Sequence, residues 1–315
     1  MISTQFGRRL DVLGREFRVL RNEPMSRHTS FRIGGPAGAY VHVHSVETLR
    51  AAASIAADAS LEVLYAGAGS NLLVSDQGVR GLVIETWTNQ DPFEGIDLSP
   101  GENGKTHVWV FSGIPLPRLA AMAARRGLSG MEWATGIPGT VGGAVVNNAG
   151  AHGSTMAGVV TAVSTWGPAG QREWHVDDLG YGYRTSKFRT GVFDASSVVL
   201  AARFVFQPDA PRAIEARIAE HTAYRRSTQP SQSSVGSIFK NPPGDSAGRL
   251  LERAGLKGAR VGDAEISTKH ANFIVNLGHA RASEVMALIN LAGERVLAAF
   301  GVRLELEIQL VGPGY

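Results

Sequence analysis

The stretch Gly136–Gly150 reads GIPGTVGGAVVNNAG. Five glycines, one proline and two adjacent asparagines interrupt a small, apolar run. Glycine inside regular structure costs conformational entropy, so this density marks tight turns or a backbone that comes close to something bulky. A turn-rich crossing inside an α+β domain would have a similar composition. The sequence on either side weighs against that blander reading.

Upstream, Leu61–Tyr65 predicts a strand that ends at Gly67-Ala68-Gly69-Ser70-Asn71. A loop of this kind after a strand exposes successive backbone N–H groups, a nest suited to phosphate. It lacks the spacing of a Rossmann fingerprint and the lysine of a P-loop, and alone it reads equally well as a structural turn. With the second glycine-rich segment, Gly136–Gly143, it suits a large dinucleotide lying between the two. Neutral backbone donors can bind pyrophosphate without a metal. Asn147 and Asn148 either serve such a ligand or close turns.

Around these loops the chain alternates strands and helices. Strands are predicted at Tyr40–His44, Leu82–Glu85, His107–Phe111, Val159–Trp166, Arg172–His175 and Val198–Phe206, and helices at Val46–Asp58 and Arg118–Arg126. Asp91–Thr106 reads as a polar surface excursion. After a boundary near Gln207–Pro211 come a helix from Arg212 to about Arg226, a short helix around Leu250 and a strand at Asn272–Asn276. Val285, Leu288, Ile289, Ala292, Val296 and Phe300 mark one face of a long helix. Arg303–Leu310 alternates strictly and predicts a terminal strand. The segments 1–85, 86–207 and 208–315 are the expected domains.

The whole chain sets bounds on function. At 315 residues, 43% hydrophobic and 19% charged, it suits an ordinary soluble protein of two or three domains. No apolar run is long enough to span a bilayer, and the N-terminal residues lack the apolar core of a secretory signal, so a cytoplasmic protein without membrane insertion is expected. There is no cysteine, which removes disulfides, thiolate metal sites and cysteine nucleophiles. The net charge of +3 comes from scattered basic residues, which favours small anionic ligands over nucleic acid. The histidines show no zinc spacing, so no metal site is expected.

Three further segments can carry chemistry. Tyr181–Phe188 (YGYRTSKF) presents Arg184, whose planar fork suits a carboxylate or enolate oxygen; a solvent-facing ion pair is the commoner fate of one arginine. Ser237–Pro243 (SIFKNPP) offers Ser237 as a proton donor and Lys240 and Asn241 as polar ligands, or else a hydroxyl-capped turn. Glu305 and Glu307 share the polar face of the terminal strand. Either can meet solvent or assist proton transfer, and periodicity does not choose between them.

In order and wording these segments resemble the UDP-N-acetylenolpyruvoylglucosamine reductase family, flavoenzymes that complete UDP-N-acetylmuramate in bacterial peptidoglycan synthesis. The matching text is TSFRIGG at Thr29–Gly35, AGAGSNLLV at Ala66–Val74 and the block Gly130–Gly153. It continues with YRTSKF at Tyr183–Phe188, GSIFKNP at Gly236–Pro242, KHANFIVN at Lys269–Asn276 and GVRLELEI at Gly301–Ile308. The series covers nearly the whole chain and is similar to the shorter family type.

The resemblance implies an α+β chain with a vanillyl-alcohol-oxidase-type (PCMH-type) FAD-binding fold, two α/β subdomains plus a smaller α/β substrate-binding domain. It implies non-covalent FAD held by Gly67, Ala68, Gly69, Ser70 and Asn71, and by Gly136, Ile137, Pro138, Gly139, Thr140, Gly142 and Gly143. Asn148, Ala149 and Gly150 would complete that wall. Arg184 matches the family's active-site arginine, Ser237 its proton donor and Glu307 its terminal catalytic glutamate; Tyr183, Lys240 and Asn241 fall among substrate-binding positions. NADPH is the implied hydride donor and UDP-N-acetylglucosamine enolpyruvate the implied substrate of a monomeric oxidoreductase serving cell-wall biogenesis, cell shape and cell division.

The chain departs from the family pattern at Gln309, where arginine is frequent, at Asn147, where an apolar residue is common, and in Ser231–Val235, which lacks a frequent proline. Two other functions are open: an FAD-dependent oxidase or dehydrogenase of the same fold acting on another substrate, or, from basicity and the glycine-rich loops, a nucleotide- or nucleic-acid-binding protein without catalysis.

Overall fold

Ser45 sets the start of the helix Val46–Asp58 by a reciprocal pair of bonds. Its hydroxyl accepts the Thr48 N–H at 3.2 Å, and its own N–H donates to Thr48 Oγ1 at 3.0 Å. A capping box of this kind satisfies donors that the first helical turn leaves open. The helix then buries Leu49, Ala52, Ala53 and Ala56, one face at helical spacing. The following strand, Val63–Ala66, runs parallel to Leu82–Glu85, with Val63 opposite Leu82.

The computed structural model describes residues 4–101, 103–194 and 196–315. Its contacts gather into two units, neither continuous in sequence. The first runs through Val19 and takes in Tyr40–Ala68 and Leu82–Tyr224; the second comprises Leu20–Ala39, Gly69–Gly81 and Arg225–Tyr315. The consecutive segments 1–85, 86–207 and 208–315 therefore do not coincide with the compact units.

The first unit is centred on an antiparallel sheet in the order Gly170–His175, Val160–Gly167, Val198–Pro208, Thr106–Phe111. Thr106, Val108 and Val110 are buried while His107 and Trp109 are exposed, the alternation of a sheet with one covered face. The helix Leu116–Arg125 packs Leu116, Leu119, Ala120 and Ala123 into the core with Trp133, Val141, Phe204 and Phe206. The polar excursion after Asp91 is not wholly superficial, because Phe93 is buried in that core.

In the second unit the helix Ala282–Phe300 buries the expected face from Val285 to Val296. It lies with the three-stranded antiparallel sheet Arg260–Val261, Ala264–Ile266, Ile274–Asn276. Phe31 and Leu73, from early in the chain, belong to this core. Side chains tie these distant segments together: Asn276 Nδ2 donates to Phe31 O at 3.0 Å, and Ser30 Oγ to Ser234 O at 2.7 Å.

The terminal alternation does not make one regular strand. Leu306 forms a single bridge to Phe239, and only Gln309–Val311 is a strand, parallel to Leu72–Val74. The segment changes partner between Glu307 and Gln309, and a ladder cannot continue straight through such an exchange.

At the start of the long helix Glu284 Oε2 accepts the Arg281 N–H at 3.1 Å, but Arg281 at the N-cap position provides no side-chain oxygen for the first-turn N–H groups. Asp76 supplies one instead: Oδ1 accepts the Ala282 N–H at 2.8 Å, and Oδ2 accepts the Ser283 N–H at 3.1 Å and its hydroxyl at 2.8 Å. Asp76→Ala is expected to lower stability by about 1–2 kcal/mol, read as an earlier urea midpoint with an unchanged slope.

Candidate active site

In the first unit, the glycine-rich stretch lies along the segment Ser112–Leu116. Gly142 N–H donates to Ser112 O at 2.8 Å, Val141 N–H to Ile114 O at 2.9 Å and Leu116 N–H to Gly139 O at 2.9 Å. Thr140 then precedes the short helix Val141–Asn147. Its side chain rests on Gly67, where a Cβ would overlap Thr140 Oγ1. Only glycine fits that approach.

The hydroxyls of Thr140 and Ser112 are buried and have no hydrogen-bond partner among the described residues. Unsatisfied buried hydroxyls are costly and call for an explanation. A ligand with phosphate or ring acceptors supplies one, and the adjacent glycines leave backbone open to it. Gly67, Gly142, Gly143, Thr140 and Ser112 thus fit a group of FAD's chemistry. Ile137 and Gly139 are half-buried while Gly136 and Pro138 are exposed, and Ala68 follows Gly67 in the same unit.

The other end of the stretch is tied to the segment Gly182–Ser186. Asn148 closes the helix in the left-handed region at φ 43° and is 5% exposed. Its amide donates to Gly182 O at 2.9 Å and its carbonyl oxygen accepts the Ala157 N–H at 3.1 Å. Gly150 O accepts from Arg184 Nη2 at 2.7 Å, and Val146 O from Ser186 Oγ at 2.6 Å. Asn147 Oδ1 accepts from Arg189. Alternate residues from Val146 to Gly150 therefore hold the segment Gly182–Ser186. Ala149 lies between them, its N–H donating to Ala144 O at 2.9 Å.

Arg184 itself has φ 53° within a tight turn in which Gly182 and Thr185 exchange backbone bonds. A non-glycine residue there is strained by about 1–3 kcal/mol, a feature concentrated at functional sites. Its guanidinium also lies 5.8 Å from the ring centroid of the exposed Tyr183. Tyr181, not singled out from sequence, has a buried hydroxyl without a partner among the described residues, and burial pushes its pKa up.

The second unit holds the remaining sequence-predicted residues. The segment Ser237–Lys240 is clamped from two sides. Asn272, 3% exposed, donates from Nδ2 to Phe239 O at 2.8 Å and accepts the Phe239 N–H at 2.9 Å through Oδ1, while its own carbonyl takes the Ile238 N–H at 2.9 Å. On the other side, Glu307 N–H donates to Ile238 O and Lys240 N–H to Glu305 O, both at 2.8 Å. Ser237 therefore stands next to the residue whose carbonyl receives the Glu307 N–H.

The two glutamates differ. Glu305 is exposed and pairs with Lys240 Nζ at 3.5 Å, whereas Glu307 is half-buried. Asn71 joins this segment to the end of the first glycine loop, donating from Nδ2 to Glu307 O at 3.3 Å and accepting the Gln309 N–H at 2.9 Å. Gly69 has φ 58°, a Cβ there would overlap His28 O, and Ser70 is half-buried. Asn241 accepts the Ala247 N–H at 3.0 Å at the start of the helix Ala247–Arg253. Asn272 went unassigned in the sequence reading although its block was quoted; an asparagine inside an apolar strand pattern was its signal.

Among the described residues, no group of three or more His, Cys, Asp or Glu could hold a metal, and no helix is long and apolar enough to cross a membrane. Residues 37–172 match the family described as FAD binding domain, and residues 229–311 match UDP-N-acetylenolpyruvoylglucosamine reductase, C-terminal domain. A protein from Symbiobacterium thermophilum named UDP-N-acetylenolpyruvoylglucosamine reductase 2 is 46% identical over 297 residues, spanning 94% of this chain and 92% of its own.

The chain belongs to the UDP-N-acetylenolpyruvoylglucosamine reductase family.

A reductase of that name from Chloroflexus aggregans is 44% identical, across 92% of this chain and 96% of its own. The crystal structure of UDP-N-acetylenolpyruvylglucosamine reductase from Thermus caldophilus aligns with a TM-score of 0.77 at 39% identity, covering 94% of this chain and 100% of that one. The fold is accordingly the PCMH-type FAD-binding fold, and the protein is an FAD-dependent oxidoreductase of this reductase family. Gly67→Ala should displace the Thr140 hydroxyl and weaken FAD binding by about tenfold or more. Fluorescence titration of apoprotein with FAD measures this, with an unchanged far-UV spectrum showing that the fold survives.

Proposed function

We propose that this protein reduces UDP-N-acetylglucosamine enolpyruvate to UDP-N-acetylmuramate for peptidoglycan precursor synthesis, with NADPH as hydride donor, as a monomer in the cytoplasm. The observation that carries the reading is the 46% identity to a reductase so named across 94% of the chain. Arg184, Ser237 and Glu307 stand at the sequence positions that match the family's catalytic residues, which supports the reading residue by residue.

FAD, held by the Gly67 and Gly136–Gly143 loops with Thr140, would supply two-electron hydride chemistry linking NADPH to the terminal vinyl carbon of the substrate. Adding hydride there moves an electron pair onto the carbon beside the carboxylate and into the carboxylate itself. Arg184 answers that charge. Its fork can hold two oxygens at once, and the bond to Gly150 O together with the strained turn fixes it before substrate arrives. Preorganisation matters because a group that must reorient during the reaction loses part of its stabilising effect.

Ser237 gives its proton to the carbon next to the carboxylate, completing the saturated lactyl ether, and regains one from solvent. A serine hydroxyl is a weak acid, suited here because the acceptor is a strong transient base. The main chain that follows it, Ile238–Lys240, is held by Asn272 on one side and the Glu305–Glu307 segment on the other, which anchors the donor's neighbour. Glu307, half-buried in the segment paired with Ile238, would in its protonated form donate a hydrogen bond to the developing enolate, while Lys240 and Asn241 of the Ser237 motif bind the polar parts of the substrate.

One anaerobic absorbance experiment tests the reading. NADPH should bleach the flavin, and the UDP-enolpyruvyl sugar should restore its colour without oxygen. Failure of restoration with folded, FAD-loaded protein would sink the substrate assignment. Ser237→Ala should leave bleaching by NADPH intact and slow restoration by about 10²–10⁴-fold. Arg184→Lys should also act on the second step, by about 10²–10³-fold, because a point charge does not replace a fork. Equal losses in both steps would point instead to damaged FAD binding.

A further inference from the structure

Glu132 has no part in the chemistry proposed above, yet it is a carboxylate 7% exposed in the core of the first unit. Four donors converge on it. Arg217 contributes Nη2 at 2.7 Å and Nε at 3.2 Å, Ser129 its hydroxyl at 2.8 Å and Gly130 its N–H at 2.8 Å. Burial opposes the ionised form, but these donors outweigh it and hold the carboxyl below its ordinary range. Arg217 is itself oriented by Asp209, whose Oδ2 lies 2.6 Å from Nη2.

The position of this pair in the chain gives it reach. Glu132 opens the helical turn Glu132–Ala134, and hydrogen bonds run onward from it: Thr135 N–H donates to Glu132 O at 3.3 Å and Ile137 N–H to Ala134 O at 3.1 Å. The next residues are Pro138, Gly139 and Thr140. The far end of that loop is fixed by the backbone bonds of Gly139 and Val141 to the segment Ile114–Leu116. Its near end is fixed by the turn that Glu132 anchors. Gly139, at φ 134°, lies between the two anchors, so the path of the loop follows from where they stand.

We propose that Glu132 and Arg217 are positioning residues for the flavin. Their ion pair fixes the entry of the loop Gly136–Thr140 against the helix Pro211–Thr228, and so sets where the loop's backbone donors and the Thr140 hydroxyl meet FAD. The proposal rests on reading that loop as part of the FAD cradle. The Arg217 side chain is 40% exposed but Glu132 is buried, so removing the arginine leaves a buried carboxylate without its charged partner, within the turn leading into the loop. The Asp209–Arg217 contact offers an internal control. It touches the same guanidinium, but Asp209 is a partly exposed residue outside the turn, and exposed pairs contribute little.

The test is titration of apoprotein with FAD, together with the visible spectrum of the bound flavin and the unfolding temperature of the apoprotein. Arg217→Met and Glu132→Gln are expected to raise the dissociation constant by about tenfold or more and to shift the flavin bands. Arg217→Lys should recover part of the loss, and Asp209→Asn should stay within about twofold of wild type. A lower unfolding temperature with unchanged affinity and spectrum in Arg217→Met would mean the pair only stabilises the fold, overturning the proposal. Should that variant not fold, Arg217→Lys decides, and an unchanged dissociation constant overturns it. Wild-type apoprotein that takes up no FAD would instead remove the reading of the loop on which the proposal rests.

Discussion

Asn148 has to end a helix, donate to one backbone carbonyl and accept from another residue's N–H, all at 5% exposure. Few side chains can meet those demands together. The left-handed backbone is open to asparagine at low cost, and its amide carries both a donor and an acceptor. Once Asn148 is in place, Val146 and Gly150 present carbonyls at fixed positions, and Ser186 and Arg184 bind them. The orientation of Arg184 is thus inherited from the helix end. A buried, fully bonded amide of this kind is expensive to disturb, which makes it a sound foundation for a charged group.

The energetics of Arg184 follow from this. Its left-handed φ costs about 1–3 kcal/mol, while a hydrogen bond from a charged donor contributes about 1.5–3 kcal/mol. The bond to Gly150 O is of the size needed to offset the strain. The turn is stable because the guanidinium is tethered, and the guanidinium is oriented because the turn is tight. Neither would persist alone at this position.

Elements whose pattern is local were legible in the sequence. The helix Val46–Asp58 is seen with the expected ends, and the buried face of Ala282–Phe300 follows the expected periodicity. What stayed hidden depends on partners far along the chain. Nothing near Leu72 announces that Gln309 will pair with it, nothing near Ala282 that Asp76 will cap it, and nothing near Glu132 that Arg217 will neutralise it. The terminal segment shows the limit most clearly. Its alternation matches burial in part, with Ile308 buried and Arg303 and Glu305 exposed but Leu304, Leu306, Glu307, Gln309 and Leu310 all half-buried, and burial period carries no record of a change of partner. At the candidate site, the family resemblance pointed to Arg184, Ser237 and Glu307. It implies Asn148 only as part of the FAD wall and gives Asn272 no role, because the backbone contacts by which both hold their neighbours are not revealed by residue type alone.

Gln309 can now be weighed in the same terms. The structural task at that position belongs to the backbone, whose N–H donates to Asn71 O, and any side chain allows it. Arginine in place of glutamine would add charge without altering the pairing. Replacing a frequent arginine by glutamine therefore removes an electrostatic contribution near Glu307 while leaving the segment's course intact. Lys240 does not compensate, since its ammonium is drawn to the exposed Glu305 at 3.5 Å. The half-buried Glu307 of this chain therefore lacks the arginine that the family pattern frequently places two residues further on, and its segment keeps its course without it.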